Sequence, residues 1–397
     1  MRPRVGLLHY TCPPVIGGVE TVLYEQATRL SALGYPVTIL AGRGGPLPSP
    51  TNVQLVIIPD LDSKREQSSD SLTLERLKPQ LRSLDVLIVH NALTLHFNLS
   101  LTAALWTAAG EGGPRIVSWC HDLSWANPLY LPLLQPNPPW SLLKQYNPKI
   151  RTVCVSEQRR QQWLQLSGAP AESALVIPNG IDAAGVLRLG PATRDLSDRL
   201  GLDRVDALLL APVRITKRKN LEWAIEAAAA VRASGRRVRL LITGPPGPHN
   251  PRALDYVGEL RELRRRLGLE EEVTFLFEET GRAASADYPI DAQTLYDLYM
   301  LSDVVTLPSS GEGFGLPLAE AALYRVPVVC TDLPAFREIA SEGVRYVPVE
   351  SGAKAFSDAV LEALADPGTG LRRRVLREYS WDRIIREQLE PLLSEAP

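Results

Sequence analysis

Two glutamates and a cluster of cations are the residues of this 397-residue chain best suited to chemistry. Glu312 and Glu320 stand with seven residues between them, the first inside Ser309-Ser310-Gly311-Glu312-Gly313-Phe314-Gly315 and the second in the segment beginning at Leu316. Three glycines let the backbone N–H groups of that loop approach a ligand without interference from Cβ atoms. Pro317 suits the first turn of a helix, so a helix starting near Leu316 is expected, its unpaired N–H groups and positive dipole end aimed at the loop. That arrangement holds phosphate. A glutamate in the loop would repel a bare phosphate, so Glu312 is expected to face the group the phosphate carries. Glu320, about one turn into the helix, can reach hydroxyls beside it. A ligand bearing both phosphate and several hydroxyls is implied, and a nucleotide sugar is the obvious candidate. A nicotinamide dinucleotide is disfavoured, because Leu316 stands where the glycine fingerprint requires Gly or Ala.

The cations are Arg214, Lys217, Arg218 and Lys219, expected at the carboxyl end of a strand over 207–213 and just before a helix over 221–233. Four cations in six positions cannot all be core. The fork of an arginine and the point charge of a lysine both suit negative charge gathering on a departing diphosphate. Two His-containing pairs, His90-Asn91 and His121-Asp122, also close expected strands, 85–90 and 115–120, where open α/β sheets bind ligands.

Positioning these groups requires a particular kind of scaffold. Apolar strands are expected at 5–10, 37–41, 53–58, 85–90, 115–120, 152–155 and 174–177, then again at 207–213, 238–243, 273–277, 303–307 and 326–330, with helices between many of them. Such alternation means parallel sheets covered on both faces, an α/β class. A helix over 21–33 follows Gly17-Gly18, making a second strand–glycine turn–helix and a second potential phosphate turn. The length implies two domains of roughly 180–200 residues. Hydrophobic residues make up 45% and charged residues 22%, with net charge −2, so nucleic acid is not an expected partner. Cys12, Cys120, Cys154 and Cys330 show no paired spacing, and buried thiols in a reducing compartment are expected. The apolar residues near the N-terminus are broken by His9, Tyr10 and two prolines, which favours a first strand over a signal peptide, and no apolar run is long enough to span a bilayer. A cytoplasmic protein with at most peripheral membrane contact is expected.

Residues 123–149 interrupt the pattern with six prolines and the aromatics Trp125, Tyr130, Trp140 and Tyr146. They read either as a proline-stiffened packing loop or as an acceptor lip. On the second reading Trp125, Tyr130 and Trp140 stack on sugar rings.

With these residues in view, the chain resembles the retaining glycosyltransferases of family four, whose signature is a Glu-seven-Glu pair and whose fold is GT-B. The resemblance covers nearly the whole sequence. It implies two Rossmann-like doubly wound domains facing each other across a deep cleft. Residues 1–182 would be the acceptor domain, joined by a C-terminal helix 380–397 packing back on it, and 183–379 the nucleotide-sugar domain. Pro178-Asn179-Gly180-Ile181-Asp182 resembles the family's crossing segment, and residues 183–204 read as a linker and lead-in. Matched residue by residue, Arg214 and Lys219 are implied to clamp the diphosphate, leaving Lys217 and Arg218 to solvent. Glu312 with the backbone of Gly313, Phe314, Gly315 and Leu316 is implied to hold the sugar, Glu320 the ribose, His121 the sugar near its reactive carbon, and Gly17 and Gly18 the donor phosphates. Where similar enzymes often have Gly in the 273–277 strand, Phe277 and Glu278 stand, and an acidic stretch to Asp291 looks inserted, which leaves the choice of base open.

The resemblance implies hexosyl transfer (mannose or glucose, from GDP-mannose or UDP-glucose) to a hydroxyl of a small molecule, glycan or lipid-linked acceptor, with retention. No metal-ligand spacing is present, so no metal and no cofactor beyond the co-substrate are expected. A sugar-nucleotide 2-epimerase of the same architecture and a non-catalytic nucleotide-sugar binder are the alternatives.

Overall fold

Thirteen short apolar segments pair into two wholly parallel sheets in a computed structural model of the chain, which describes residues 2–48, 52–64, 69–246, 253–279 and 290–395. The first sheet contains β1 (Val5–Thr11), β2 (Val37–Arg43), β3 (Gln54–Ile57), β4 (Val86–His90), β5 (Arg115–Cys120), β6 (Ile150–Cys154) and β7 (Ala174–Val176), in the order β3-β2-β1-β4-β5-β6-β7. The second contains β8 (Ala207–Ala211), β9 (Val238–Ile242), β10 (Val273–Phe275), β11 (Val304–Leu307), β12 (Val328–Thr331) and β13 (Arg345–Val347), in the order β10-β9-β8-β11-β12-β13. Each sheet thus runs outward one way from its first strand and then jumps to the other side. That doubly wound order opens a crevice between β1 and β4 and another between β8 and β11, beyond the strands' carboxyl ends.

The chain divides into two compact units, Met1–Ile181 with Trp381–Pro397, and Asp182–Ser380. In the first, the two-residue period of the strands sends alternate side chains to opposite faces. Leu7, Ile39, Ile88, Val117 and Val153 pack on one side, while Leu8, Leu40, Leu87, Val89 and Ile116 pack on the other against Leu74, Leu77, Leu101 and Leu105. The C-terminal segment covers the first of these faces with Trp381, Ile384, Ile385 and Leu389. It is pinned there by Tyr35, whose hydroxyl donates to Glu390 at 3.0 Å, and by Arg115, which donates to the Leu392 carbonyl at 2.8 Å. The second unit has a single core around β8, β9, β11 and β12.

Several segments differ from expectation. The stretch expected as a linker folds into helical segments Ala183–Val186 and Pro191–Leu200, buries Thr193, Leu196 and Leu200, and is anchored by buried Asp297, which accepts from Gly190 N at 2.8 Å and Thr193 Oγ1 at 2.6 Å. Its charged residues face outward, which is why it read as solvated. The strand at 273 stops at Phe275 and turns into a helical segment, Leu276–Glu279, although Phe277 stays buried. Most of the acidic stretch that follows lies outside the described residues. The proline-rich segment forms three short 3-10 turns, as a chain without enough amide donors must. All four cysteines are free and buried. No described helix is long and apolar enough to cross a membrane.

Gly180 shows how tightly the C-terminal segment docks, since a Cβ there would come within 2.4 Å of the Trp381 ring. Trp381 itself is 2% exposed. Trp381→Ala is expected to destabilise the first unit by about 3–5 kcal/mol, the usual cost of emptying an aromatic site in a core. Urea unfolding followed by a probe in that unit measures it, and the transition of the second unit should not move.

Candidate functional site

In the second unit the loop after β8 and the loop after β11 meet at the crevice that the strand order opens. Lys219, buried, makes an ion pair with the Glu312 carboxylate, also buried. Ser309 donates its hydroxyl to the same carboxylate oxygen at 2.7 Å, and Arg218 Nη1 reaches the other oxygen at 3.2 Å and the Gly311 carbonyl at 2.7 Å. The two loops are also tied by backbone, Ser310 N donating to Arg218 O at 2.8 Å. Burial pushes the Glu312 carboxyl up, but the bonds from Lys219 and Ser309 and the nearby charges outweigh it, so its pKa lies below the ordinary glutamate value. Burial pulls the Lys219 ammonium down, against the opposing pull of Glu312.

Arg218 is exposed, as expected, and its guanidinium also reaches Glu312 and Gly311. Lys217 does face outward, bridging Glu222 at 2.8 Å and Glu259 at 2.7 Å. Arg214 lies five residues earlier on the same loop, its side chain exposed. The strand end after β9 comes so close to it that a Cβ on Gly244 would sit 2.3 Å from Val213 O and 2.6 Å from Arg214 N.

The loop's openness is measurable. A Cβ on Gly311 or Gly313 would meet nothing within 4 Å, so this backbone is accessible to a ligand. Gly315 is different: it caps the Leu316–Leu323 helix at φ +101, and a Cβ there would strike Phe336 at 2.7 Å. Phe314 and Leu316 are exposed beside it. Glu320 is held by the hydroxyl of buried Tyr299, which donates to Oε2 at 2.6 Å. Tyr299 in turn stacks on Tyr324 with ring centroids 6.0 Å apart. The sequence reading missed Tyr299, because nothing local marks a residue 21 positions away as a partner.

The first unit uses the crevice between β1 and β4 differently. A cavity of about 400 Å³ is lined there by His9, Thr11, Glu20, Asn91, Asp122 and Tyr130, among others. Gly17 and Gly18 stand at the start of the Gly18–Ala32 helix, earlier than expected. The Glu20 carboxylate folds back against Gly17 and accepts the Thr11 hydroxyl. An acid of the same chain therefore sits on the positive end of that helix at Gly17, whereas a Cβ on Gly18 would meet nothing within 4 Å. Sequence reading missed His9 and Glu20. The only signal for Glu20 was its place beside the glycine turn, and for His9 its place near the end of β1.

His121 is fixed from three sides. Its Nε2 lies 3.0 Å from His90 Nδ1, its amide donates to Asn91 Oδ1 at 2.9 Å, and its carbonyl accepts from Arg159 Nε at 3.2 Å. Asn91 adopts φ +60, which asparagine tolerates better than most residues. Arg159 also pairs with Asp122 at 2.7 Å. His9 Nδ1 sits 3.0 Å from the His90 carbonyl, which can only accept, so Nδ1 carries the proton and Nε2 is the lone-pair nitrogen. Burial drives the His121 pKa down to about 3. Burial also lowers His9 and places His90 well below the ordinary value.

The proposed aromatic lip divides. Tyr130 lines the cavity, with its ring 4.8 Å from that of His96. Trp125 and Trp140 do not line it. The Trp125 indole N–H donates to the Trp140 carbonyl at 3.2 Å, Lys144 lies over the Trp125 ring, and Trp140 stacks on His96.

Two family models match the chain, one described as Glycosyltransferase Family 4 over residues 16–184 and one as Glycosyl transferases group 1 over residues 206–366. Similar curated proteins include a mannosylglucosylglycerate synthase of Petrotoga mobilis, 24% identical over 88% of this chain and 87% of that one. A phosphatidyl-myo-inositol mannosyltransferase of Mycobacterium leprae is 26% identical over 95% of this chain and 93% of its own. A D-inositol 3-phosphate glycosyltransferase of Gordonia bronchialis is 31% identical over 59% of this chain, a match spanning 50% of that protein's length. The chain belongs to the family-four glycosyltransferases, with the two Rossmann-like domains of the GT-B fold.

Two outcomes follow from this geometry. Removing one partner of the Lys219–Glu312 pair strands a buried charge, so Glu312→Leu or Lys219→Met alone should cost about 3–5 kcal/mol of stability in the second unit, and the double variant much less than the sum. Denaturant titrations of all four proteins check this. In the first unit, His9, His90 and His121 are neutral when folded, while their unfolded forms take up protons near pH 6.5. Stability is therefore fully present above about pH 6.5 and is lost as pH falls below it, by up to about 1.4 kcal/mol per pH unit for each histidine. Unfolding midpoints measured from pH 7.5 to 5 should drop accordingly, and less steeply in His90→Asn.

Proposed function

We propose that the protein transfers a hexose from a nucleoside diphosphate sugar to an acceptor hydroxyl, with retention at the anomeric carbon. The observation that carries this reading is the Arg218–Glu312–Lys219 cluster at the crevice of the second sheet, beside a glycine backbone open to a ligand. Two cations and one acid leave net positive charge where a diphosphate departs, and the cluster is already ordered, so little reorganisation accompanies the reaction. Lys219 and Arg214 stabilise the leaving diphosphate, and Arg218 adds to their charge. Glu312 and the Gly313–Leu316 backbone hold the sugar hydroxyls, and Glu320, steadied by Tyr299, holds the ribose. The names of the two relatives aligned over most of their length favour mannose as the sugar.

The acceptor goes to the cavity of the first unit. A space of about 400 Å³ suits a sugar-sized group, and its lining offers hydrogen-bonding side chains and the Tyr130 ring. In the transfer step the acceptor oxygen bonds to the anomeric carbon as the bond from that carbon to the phosphate oxygen breaks. The acceptor's proton passes to the departing phosphate oxygen, so no protein nucleophile is needed. His121, kept neutral by burial, offers a hydrogen bond to the sugar without adding positive charge beside an oxocarbenium-like centre. Gly18 leaves room for the donor phosphates. With Arg214 and Lys219 supplying the charge, no divalent ion is required, and activity should survive treatment with a chelator.

The acceptor-sized cavity favours transfer over a 2-epimerase, which would need only the donor. Thermal shifts with GDP, UDP and their mannose and glucose esters identify the donor, because binding raises apparent stability by mass action. Glu320→Ala and Lys219→Ala should each lose about 2–4 kcal/mol of transition-state stabilisation in kcat/KM. Near-normal turnover in both, or conversion of the sugar nucleotide with no acceptor present, would refute the reading.

A further inference from the structure

A second concave site lies in the Asp182–Ser380 unit, at the opposite end of its sheet from the glycine loop. It is a cavity of about 580 Å³ where β8 and β9 begin, and its wall includes Arg199, Arg204, Arg232, Arg236, Arg237 and Arg239. Asp198, Glu271 and Glu272 are the acids of the same wall, so six arginines against three carboxylates leave a formal charge of +3.

Four of the arginines have structural work. Arg232 braces the turn after the Ala253–Arg266 helix through the Leu267 carbonyl at 2.7 Å and also approaches Glu272 at 3.4 Å. Arg239 donates to the Leu200 carbonyl at 2.9 Å and to that of Glu271. Arg237 pairs with Asp206 at 3.3 Å and Arg199 with Asp195 at 2.9 Å. Arg204 and Arg236 make no ion pair and no side-chain hydrogen bond to a described residue, so the wall's excess charge is concentrated on them. Like charges crowded in a concavity repel unless an anion joins them.

We propose that this cavity binds a small multivalent phosphate compound, with Arg204 and Arg236 as its principal ligands. The volume lies in the range of small-molecule sites, and planar guanidinium forks match phosphate oxygens. The site is separate from the proposed donor site and does not depend on it. The helix Leu221–Ala233 begins two residues after Lys219 and carries Arg232 in its last turn, about 17 Å from its first residue at 1.5 Å per residue.

Calorimetric titration with inorganic pyrophosphate and with a hexose bisphosphate tests the site and separates free from esterified phosphate. At low salt at least one probe should bind the wild-type protein at this cavity, and the affinity of that site should fall at least tenfold in Arg204→Ala/Arg236→Ala. The Lys219→Met/Glu312→Leu variant, which removes the donor-site pair without stranding a charge, should keep that affinity. Binding lost in the donor-site variant but retained in the arginine variant, or no binding by either probe, would overturn the proposal. Wild-type unfolding midpoints for the arginine variant confirm that a loss of binding is not a loss of fold.

Discussion

The ion pair between Lys219 and Glu312 is the constraint on which the second unit's chemistry depends. Each group would be costly to bury alone, and each is buried only because the other is there. The pair spans two loops that leave adjacent strands, β8 and β11, at the place where the sheet's strand order reverses. Ser309 and Arg218 complete the coordination of the carboxylate, so the glycine loop is held in place by charge together with the backbone bond from Ser310 to Arg218. That leaves its outer surface bare. Gly311 and Gly313 can stay open to a ligand because the loop needs no side chains there to keep its shape.

The first unit repeats the topology with different electrostatics. At the matching crevice stand three histidines held neutral by burial, with the acids Glu20 and Asp122 balanced by Arg43 and Lys64 on the cavity wall. Asn91 organises this region by placing a carbonyl oxygen where the amides of His121 and Asp122 both find it. A neutral, hydrogen-bonding pocket suits hydroxyl groups, whereas the cationic loop of the second unit suits phosphate. The same strand order, with different residues at its crevice, thus yields two sites of complementary chemistry. The arginine-lined cavity at the other end of the second sheet adds a third, concentrated at Arg204 and Arg236.

How much of this could be read in advance depends on the range of each interaction. Strand and helix positions were legible because period and end signals are local: the helix expected over 221–233 is found there, and the one expected near Leu316 begins at that residue. Glu312, Lys219 and their loops were also legible, since unusual residues at strand ends stand out. The partner of Glu320 was not, because Tyr299 reaches it only through the folding of a separate helix. That exposed Arg218 also meets Glu312 was not legible either, because three adjacent cations, 217–219, carry no mark of which one pairs with a distant acid. Trp125 and Trp140 left packing and binding both open in the sequence, because aromatic residues in a proline-rich segment serve either, and the structure shows the Trp125 indole bonded to the Trp140 carbonyl and Trp140 stacked on His96.

By itself the chain's order of residues determined the class of fold, the two phosphate-suited turns and the charge types offered at each strand end, because these follow from periodicity, glycine and proline, and formal charge. The tertiary structure alone decided which charges meet, which histidines lose their protons to burial and where an unsatisfied arginine wall gathers. Those outcomes depend on desolvation and on distances of a few ångströms between residues tens to hundreds of positions apart. No local pattern encodes a distance of that kind.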